Sequence, residues 1–265
     1  MNPAVSIITV YYNDPEQIKK LAASMKRNLK KDQYEWIVVD NNSTVELSSK
    51  LECIYLRQNI NKGFGAACNL GAEHAKSEIF FFVNPDCEFI EDCISPLLDA
   101  IQTSAIAGPQ VLYPDGLLQL SFGPFLSIFN EFKQRSLQRS EKTQDVQNWI
   151  REKAPKHPDY VSGCALMIRA SIFRKLGGFD EQFFLYNEDV DLCKRAKEEG
   201  AAITYLPGVL IQHSKGTSGA NESERVNQEY RKSQLRYYRK HHGPLQNLIL
   251  RSYLRISGKM PSQLN

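Results

Sequence analysis

No run of apolar residues in this 265-residue chain approaches the roughly 18 needed to cross a bilayer as a helix. That excludes a multi-span carrier or channel of the helical kind. No basic segment followed by a long apolar stretch opens the sequence, so no secretory leader is expected. The six cysteines, at 53, 68, 87, 93, 164 and 193, form no C-x-x-C pair, which argues against a zinc ribbon or a thioredoxin-like site. Their mostly apolar neighbours suit reduced core thiols of a cytosolic protein. No G-x-G-x-x-G follows the first apolar strand, so a dinucleotide site is disfavoured. No glycine-rich, Arg/Lys-bearing loop lies near the N-terminus to activate a triphosphate. Internal repeats and low-complexity segments are also absent.

What is present is a globular composition, 42% hydrophobic and 24% charged, at a length that buries a sizeable core. The net charge of +3 conceals an asymmetry. From Arg225 onward there are nine Lys/Arg and one acid, Glu229, a local charge of +8 that leaves −5 on the preceding residues. A near-neutral body with a basic tail points to an anionic surface near the C-terminus.

The first hundred residues alternate strand and helix patterns. Val5–Val10, Trp36–Val39, Ile54–Leu56 and Ile79–Val83 read as strands. Ile18, Leu21, Ala22, Met25 and Leu29 recur at helical spacing after Pro15. Continuous apolar strands separated by helices predict a mainly parallel sheet covered on both faces. Ile106–Tyr113 and Leu117–Phe122, around a Pro114-Asp115-Gly116 turn, predict an antiparallel excursion. Residues 125–158 are mixed and charged, the pattern of an insertion. Tyr160–Arg169 reads as one strand, Glu188–Glu199 as a helix closed by Gly200, and Ala202–Tyr205 and Val209–Gln212 as two strands.

Ligands of open parallel sheets bind beyond the carboxyl ends of the strands. Asp40 and Asp86 fall at two such ends and are expected to face one crevice. Asn84-Pro85-Asp86 admits two readings, a strand-ending turn or a carboxylate aimed at a divalent cation. Asp40 either accepts hydrogen bonds from a nucleoside or caps the next segment. Asn61-Lys62-Gly63-Phe64-Gly65 opens a helix, where free amides suit phosphate, but close helix–sheet packing explains the glycines equally well. Asn187 suits a helix N-cap, and Asp191 and Arg195 at i,i+4 suit an ion pair. The aromatic setting of Glu188-Asp189 (Phe183, Phe184, Tyr186) favours carboxyls of raised basicity. His213 ends a strand before Ser214-Lys215-Gly216-Thr217-Ser218-Gly219 and is either structural or a metal or diphosphate contact. Together the two acidic clusters suggest group transfer from an activated phosphate ester.

Taken in order, VSIITVYYN, the acid of VVDNNS, NKGFGAACNLG, NPD, VSGCALMIR, GGFDEQFFLYNEDVDLCKR and HSKGTSG resemble the inverting family-2 glycosyltransferases. The likeness covers roughly residues 4–219 and is nearest to the bacterial rhamnosyltransferase-like branch, which builds O-antigen and other cell-surface polysaccharides. It implies the A-type glycosyltransferase fold, an α/β class with a mainly parallel central sheet flanked by helices. A catalytic domain of residues 1–222 would divide into a nucleotide-binding half, about 1–115, and an acceptor half, about 116–222. A basic helical extension of residues 223–265 would follow. Thr9 and Asp40 would contact the nucleoside, with Asn61, Lys62, Gly63 and Asn84 nearby. Asp86 would hold Mg²⁺ or Mn²⁺ against the donor diphosphate, and His213 would complete the metal or phosphate contacts. Asp189 would be the general base, with Glu188 beside it.

One departure matters: Asn84 stands where the family's D-x-D has its first acid, so metal binding rests mainly on Asp86. The resemblance names dTDP-rhamnose as the first donor candidate and a UDP-sugar as the second. The acceptor would be a growing glycan or a lipid-diphosphate-linked sugar, in the cytoplasm or at the inner face of the membrane. Residues 225–265 form a basic amphipathic pattern that suits either an anionic membrane surface or packing on the domain. Nucleic acid is not expected, since the tail lacks aromatic stacking platforms. The rival reading is a non-catalytic nucleotide-sugar binding module. The presence of Asp86, Glu188, Asp189 and His213 opposes it.

Overall fold

The computed structural model describes residues 2–45, 47, 51–151, 157–214 and 220–262. The expected strands and helices of the first hundred residues are β1 (Val5–Tyr11), α1 (Pro15–Asn28), β2 (Tyr34–Asp40), β3 (Ile54–Arg57), α2 (Phe64–Glu73) and β4 (Ile79–Val83). They continue into β5 (Cys87–Phe89), α3 (Ile94–Ile101), β6 (Ile106–Leu112), β7 (Leu118–Gln119) and β8 (Phe122–Gly123). Next come α4 (Ile128–Arg139), α5 (Gln144–Ile150), β9 (Tyr160–Val161), β10 (Ala165–Arg169) and α6 (Ala170–Lys175). The chain closes with α7 (Glu188–Glu198), β11 (Ile203–His213), α8 (Ala220–His241) and α9 (Pro244–Ile256).

The central sheet runs β3-β2-β1-β4-β10-β6-β11-β5, with β7 paired to β6. The strands β1 to β4, β6 and β11 run one way, while β10, β5 and β7 run against them. The sheet is mixed and α/β, mainly parallel in direction. Its reversed strand β10 lies between β4 and β6, so one sheet serves both halves of the chain.

Every residue of β1 is buried, as a central strand covered on both faces requires. On one face α2, α6 and α7 pack through Ala67, Cys68, Phe173, Leu192 and Cys193. On the other, α1 and α3 pack through Ile18, Leu21, Met25, Ile94 and Leu97. Phe82, Phe173 and Phe179 meet with ring centroids 5.0–5.5 Å apart, each pair adding about 0.5–1.5 kcal/mol beyond its burial. Gly71 lets α2 approach the sheet closely: a Cβ there would stand 2.5 Å from Ile8 Cγ2. A third cluster joins α7, α8 and α9 through Phe183, Val190, Leu235, Tyr238, Leu250 and Leu254.

Three expectations need correction. Tyr160–Arg169 is two strands, because Ser162-Gly163-Cys164 leave the ladder between β9 and β10. The two strands expected at 202–212 are one, β11, whose register shifts between Leu206 and Leu210, where Gly208 takes φ +86°. The expected insertion contributes two helices, α4 and α5, and Ile150 joins the core.

Candidate active site

Register brings the site together. Tyr11 pairs with Asp40, Ile8 with Phe82, and Val83 with Ala165. The segments after β1, β2 and β4, and the one before β10, therefore emerge at one edge of the sheet. A cavity of about 370 Å³ opens there, lined by residues that include Tyr12, Asn41, Asn61, Gly63, Asn84 and Asp86. Phe184 and Leu185 line it from the segment before α7, and Arg225 and Glu229 from α8.

The cavity separates the expected contacts. Asn61, Gly63, Asn84 and Asp86 line it. Lys62 is exposed and does not. Thr9 is fully buried, its hydroxyl accepting from Trp36 Nε1 at 3.1 Å, and lies off the cavity. Asp40 is also fully buried and off it, and its carboxylate is engaged by Arg57 Nη1 at 2.6 Å, by the Tyr55 hydroxyl and by the Ser43 amide at 2.7 Å. Its neighbour Asn41 takes the lining position. The Asn41 amide accepts from Lys62 N–H and donates to the Gly63 carbonyl, both at 3.1 Å, tying β2 to the loop before α2. Gly63 takes φ +94°, and a Cβ there would stand 2.4 Å from the Phe184 carbonyl oxygen. Only glycine fits. The next residue, Phe64, donates its N–H to that carbonyl at 2.9 Å.

Asp86 and His213 meet, with Nε2 and Oδ1 3.2 Å apart. The ring orientation follows from Gln119, whose Nε2 donates to the His213 carbonyl at 2.6 Å. That leaves Gln119 Oε1 facing His213 Nδ1 at 3.0 Å, so Nδ1 carries the proton there. Nε2 then faces a carboxylate oxygen and, at 3.5 Å, the Asn84 side-chain amide. A proton or a cation belongs between Nε2 and that oxygen, and imidazole with carboxylate is a donor set that suits a divalent metal. Cys87 brings its sulfur within the same 4.8 Å cluster, but burial, with Cys164 and Asp86 adding to it, pushes its thiol well up. It stays protonated and donates to the Cys164 carbonyl at 3.4 Å. The Lys215–Gly219 part of the expected loop lies outside the described residues.

Glu188 and Asp189 begin α7 after a strained turn. Tyr186 and Asn187 both adopt the left-handed region, at φ +70° and +64°, which costs a non-glycine residue about 1–2 kcal/mol each. Asn187 occupies the N-cap position, but its side chain makes no capping hydrogen bond, contrary to expectation. Asp189 instead accepts from Val190 N–H and from Gly163 N–H, both at 2.8 Å. Neither acid lines the 370 Å³ cavity. A short relay connects them to it: Asn84 N–H donates to the Cys164 carbonyl at 2.9 Å, and the adjacent Gly163 holds Asp189. Burial raises the Asp189 carboxyl, and its backbone donors pull it only part of the way back. Burial and then the charge of Asp189 hold Glu188 well above the carboxylate range, and its Oε2 has no partner among the described residues.

Comparison with known proteins places this arrangement. The sequence model of Glycosyl transferase family 2 matches residues 6–177. The chain belongs to glycosyl transferase family 2. A second model, the N-terminal domain of galactosyltransferase, matches residues 152–217, which span Gly163, Asp189 and His213. The chain is 25% identical over 293 residues to N-acetylglucosaminyl-diphospho-decaprenol L-rhamnosyltransferase of Mycobacterium tuberculosis, covering 98% of this chain and 95% of that one. It is 28% identical over 209 residues to the low-salt glycan biosynthesis hexosyltransferase Agl10 of Haloferax volcanii, covering 75% of this chain but 63% of that protein's length. Among solved structures, the mannosyltransferase PcManGT of Pyrobaculum calidifontis, in complex with GDP-Man and Mn²⁺, superposes with a TM-score of 0.63 at 15% identity, over 96% of this chain and 69% of that one. This family-2 chain thus has the expected A-type fold and is similar to rhamnosyltransferases of polysaccharide synthesis.

Sequence reasoning missed Asn41, Gln119 and Gly163. Asn41 stands beside the predicted Asp40 and shares its strand-end signal. Gln119 carries no motif, and Gly163, within VSGCALMIR, was assigned no role there; both act through contacts set by the fold.

Proposed function

We propose that this protein is an inverting glycosyltransferase that moves a hexose from a nucleotide-diphosphate sugar to a hydroxyl of a glycan or lipid-diphosphate-linked acceptor. The observation that carries this reading is the pairing of His213 Nε2 with Asp86, which lines a cavity at the sheet's carboxyl edge. The carboxyl of raised basicity, Asp189, lies one hydrogen-bond relay away. Asn41, Asn61 and Gly63 line the part that would take the nucleoside. Asp86 and His213 would hold Mg²⁺ or Mn²⁺, which when bound neutralises charge on the departing diphosphate.

Asp189 accepts the proton of the acceptor hydroxyl. The freed oxygen pair forms the new bond to the anomeric carbon, from the face opposite the diphosphate. The carbon–phosphate oxygen bond breaks, its electrons leave with the nucleoside diphosphate, and the anomeric configuration inverts. Glu188, held protonated, adds no competing charge beside the base. The likeness to rhamnosyltransferases makes dTDP-rhamnose the first donor candidate and a UDP-sugar the second.

A membrane-surface location is part of the reading. No helix among the described residues is long and apolar enough to cross a membrane. Leu245, Leu248, Ile249 and Ile256 of α9, with Phe129 and Phe132 of α4, are exposed, while Leu250 and Leu254 pack α9 against the domain. One face of α9 is therefore committed to the protein and the other is free for a lipid surface.

The test is a screen of nucleotide sugars for sugar release and transfer, with Mg²⁺, Mn²⁺ or EDTA. Metal removal is expected to abolish turnover of the accepted donor. Full activity in EDTA would discard the Asp86–His213 metal assignment, and no turnover of any donor would discard transfer.

A further inference from the structure

Beside the donor cavity the fold carries a second, smaller cleft. It measures 120 Å³ and lies between α4, β9, the start of α7 and α8. Its lining has the composition of a carbohydrate site: the amides Gln134, Gln138 and Asn187, the acid Glu131, and the rings of Tyr160 and Tyr230. Its volume falls well below the roughly 300–1,000 Å³ of drug-sized sites, which limits an occupant to about one small ring.

Two buried polar atoms here have no partner. Asn187 is 7% exposed and Glu131 9% exposed. Asn187 Nδ2 and Glu131 Oε1 each lack a hydrogen bond among the described residues. The other oxygen of Glu131 accepts from Arg135 Nη2 at 3.1 Å and from Gln234, and the Tyr238 hydroxyl approaches the carboxylate without closing a bond. A buried donor and a buried acceptor left open each cost about 1–3 kcal/mol, so such pairs mark places where a ligand supplies the partners. A polyhydroxylated ring supplies both, an oxygen for the amide and an O–H for the carboxylate. Tyr230 lines the cleft with its ring held by Tyr186, edge-on at 5.9 Å, and by the Arg231 guanidinium at 5.1 Å from its centroid, which fixes the ring as a wall for the apolar C–H side of a sugar.

The cleft and the donor cavity are lined by neighbouring residues of the same two segments. Phe184 and Leu185 line the donor cavity, while Asn187 and Val190 line this cleft. Asp189 lies on that same short segment. Its charge reaches Tyr160 in the cleft, and its carboxylate is held by Gly163 on the relay to Asn84.

We propose that this cleft is the subsite for the acceptor's sugar ring, with Asn187 and Glu131 as its hydrogen-bonding contacts and Tyr230 as its stacking platform. This rests on the transfer reading above, since it assigns that reaction's second substrate to a cleft lined by the residues on either side of the proposed base.

The test uses the full chain and a panel of methyl pyranosides, followed by saturation-transfer NMR with nucleoside diphosphate and Mn²⁺-free buffer at saturation. Wild type is expected to bind at least one glycoside while the nucleotide is bound. Asn187→Gly, which keeps the left-handed backbone, and Tyr230→Ala are expected to weaken that binding at least tenfold, with nucleotide affinity retained as the check on folding. Gln138→Ala, on the exposed rim of α4, gives a smaller loss in a variant with little to disturb. In transfer assays the same changes raise the acceptor KM and leave the donor KM in place. Displacement of the glycoside by nucleotide, indifference to all three variants, or absence of any glycoside signal would each overturn the subsite. Glycoside binding that is sensitive to the variants, in a protein that turns over no donor, would keep the subsite and overturn transfer.

Discussion

Asp189 and Asp191 stand two residues apart on α7, and the fold treats them oppositely. Asp189 meets only backbone donors, and with Glu188 beside it both carboxyls are pushed upward by burial. Asp191 is fully buried, and burial alone would raise it too. Its oxygens, however, meet His241 at 2.7 Å, Arg195 Nε at 2.7 Å and Lys240 Nζ at 2.8 Å, and these hold it below the ordinary carboxylate range. Farther back, Asp180 shares Lys240 and takes Arg236, which bring it down to about 2 against the pull of its burial. Burial does not decide what a carboxylate does; the cations within reach decide. The basic residues of α8, read from sequence as a tail for an anionic surface, serve partly as braces for α7. The two acids that could act as a base are the ones those cations do not reach.

The contrast can be broken most sharply at its reactive side. Asp189→Asn is expected to lower turnover by about 10²–10⁴-fold, with nucleotide affinity nearly intact by calorimetry. Equal loss of both would remove Asp189 from the base role. On the bracing side, Asp191→Asn removes the carboxylate that Arg195 and His241 meet and one of the two that Lys240 meets, and is expected to cost about 3–5 kcal/mol in chemical denaturation. Its turnover per folded molecule should fall far less than that of the Asp189 variant. A stable Asp191→Asn protein with no activity would invert the assignment. The smallest effect is expected at Glu188. With its carboxyl pushed above the carboxylate range, it should tolerate Glu188→Gln with the smallest stability change of the three near neutral pH. Because the fold raises its pKa, Glu188 contributes stability that is present at low pH and lost as pH rises through the raised value. The glutamine variant should therefore gain on wild type as the solution becomes more alkaline. The rate of both proteins should fall with acid, as Asp189 takes up a proton above the usual range.

Much of this was legible in the sequence, for a physical reason. Buried strands such as Val5–Val10 and Ile79–Val83 announce themselves by unbroken apolar runs, and their ends fix where a ligand edge lies. Asp86 and His213 drew notice because each stands at such an end, and Gly63 because its glycine-rich stretch opens a helix. The failures share a cause in tertiary contact. Thr9 and Asp40 lie on or beside the expected edge, yet their side chains are consumed by Trp36 and by Arg57 and Tyr55. Nothing local records those partners. The mixed charge of residues 125–158 hid α4, whose Glu131 and Gln134 face a cleft that exists only once α7 and α8 are docked.

The hydrogen bond from Phe64 to the Phe184 carbonyl has a kinetic consequence. It joins the loop that would receive the nucleoside to the strand of backbone running on to the base, with no room for even a methyl group between them. Any shift of residues 61–64 on loading is therefore passed to residues 184–189 without slack. Substrates should arrive in sequence, the activated sugar first, because its arrival sets the position from which the second is deprotonated.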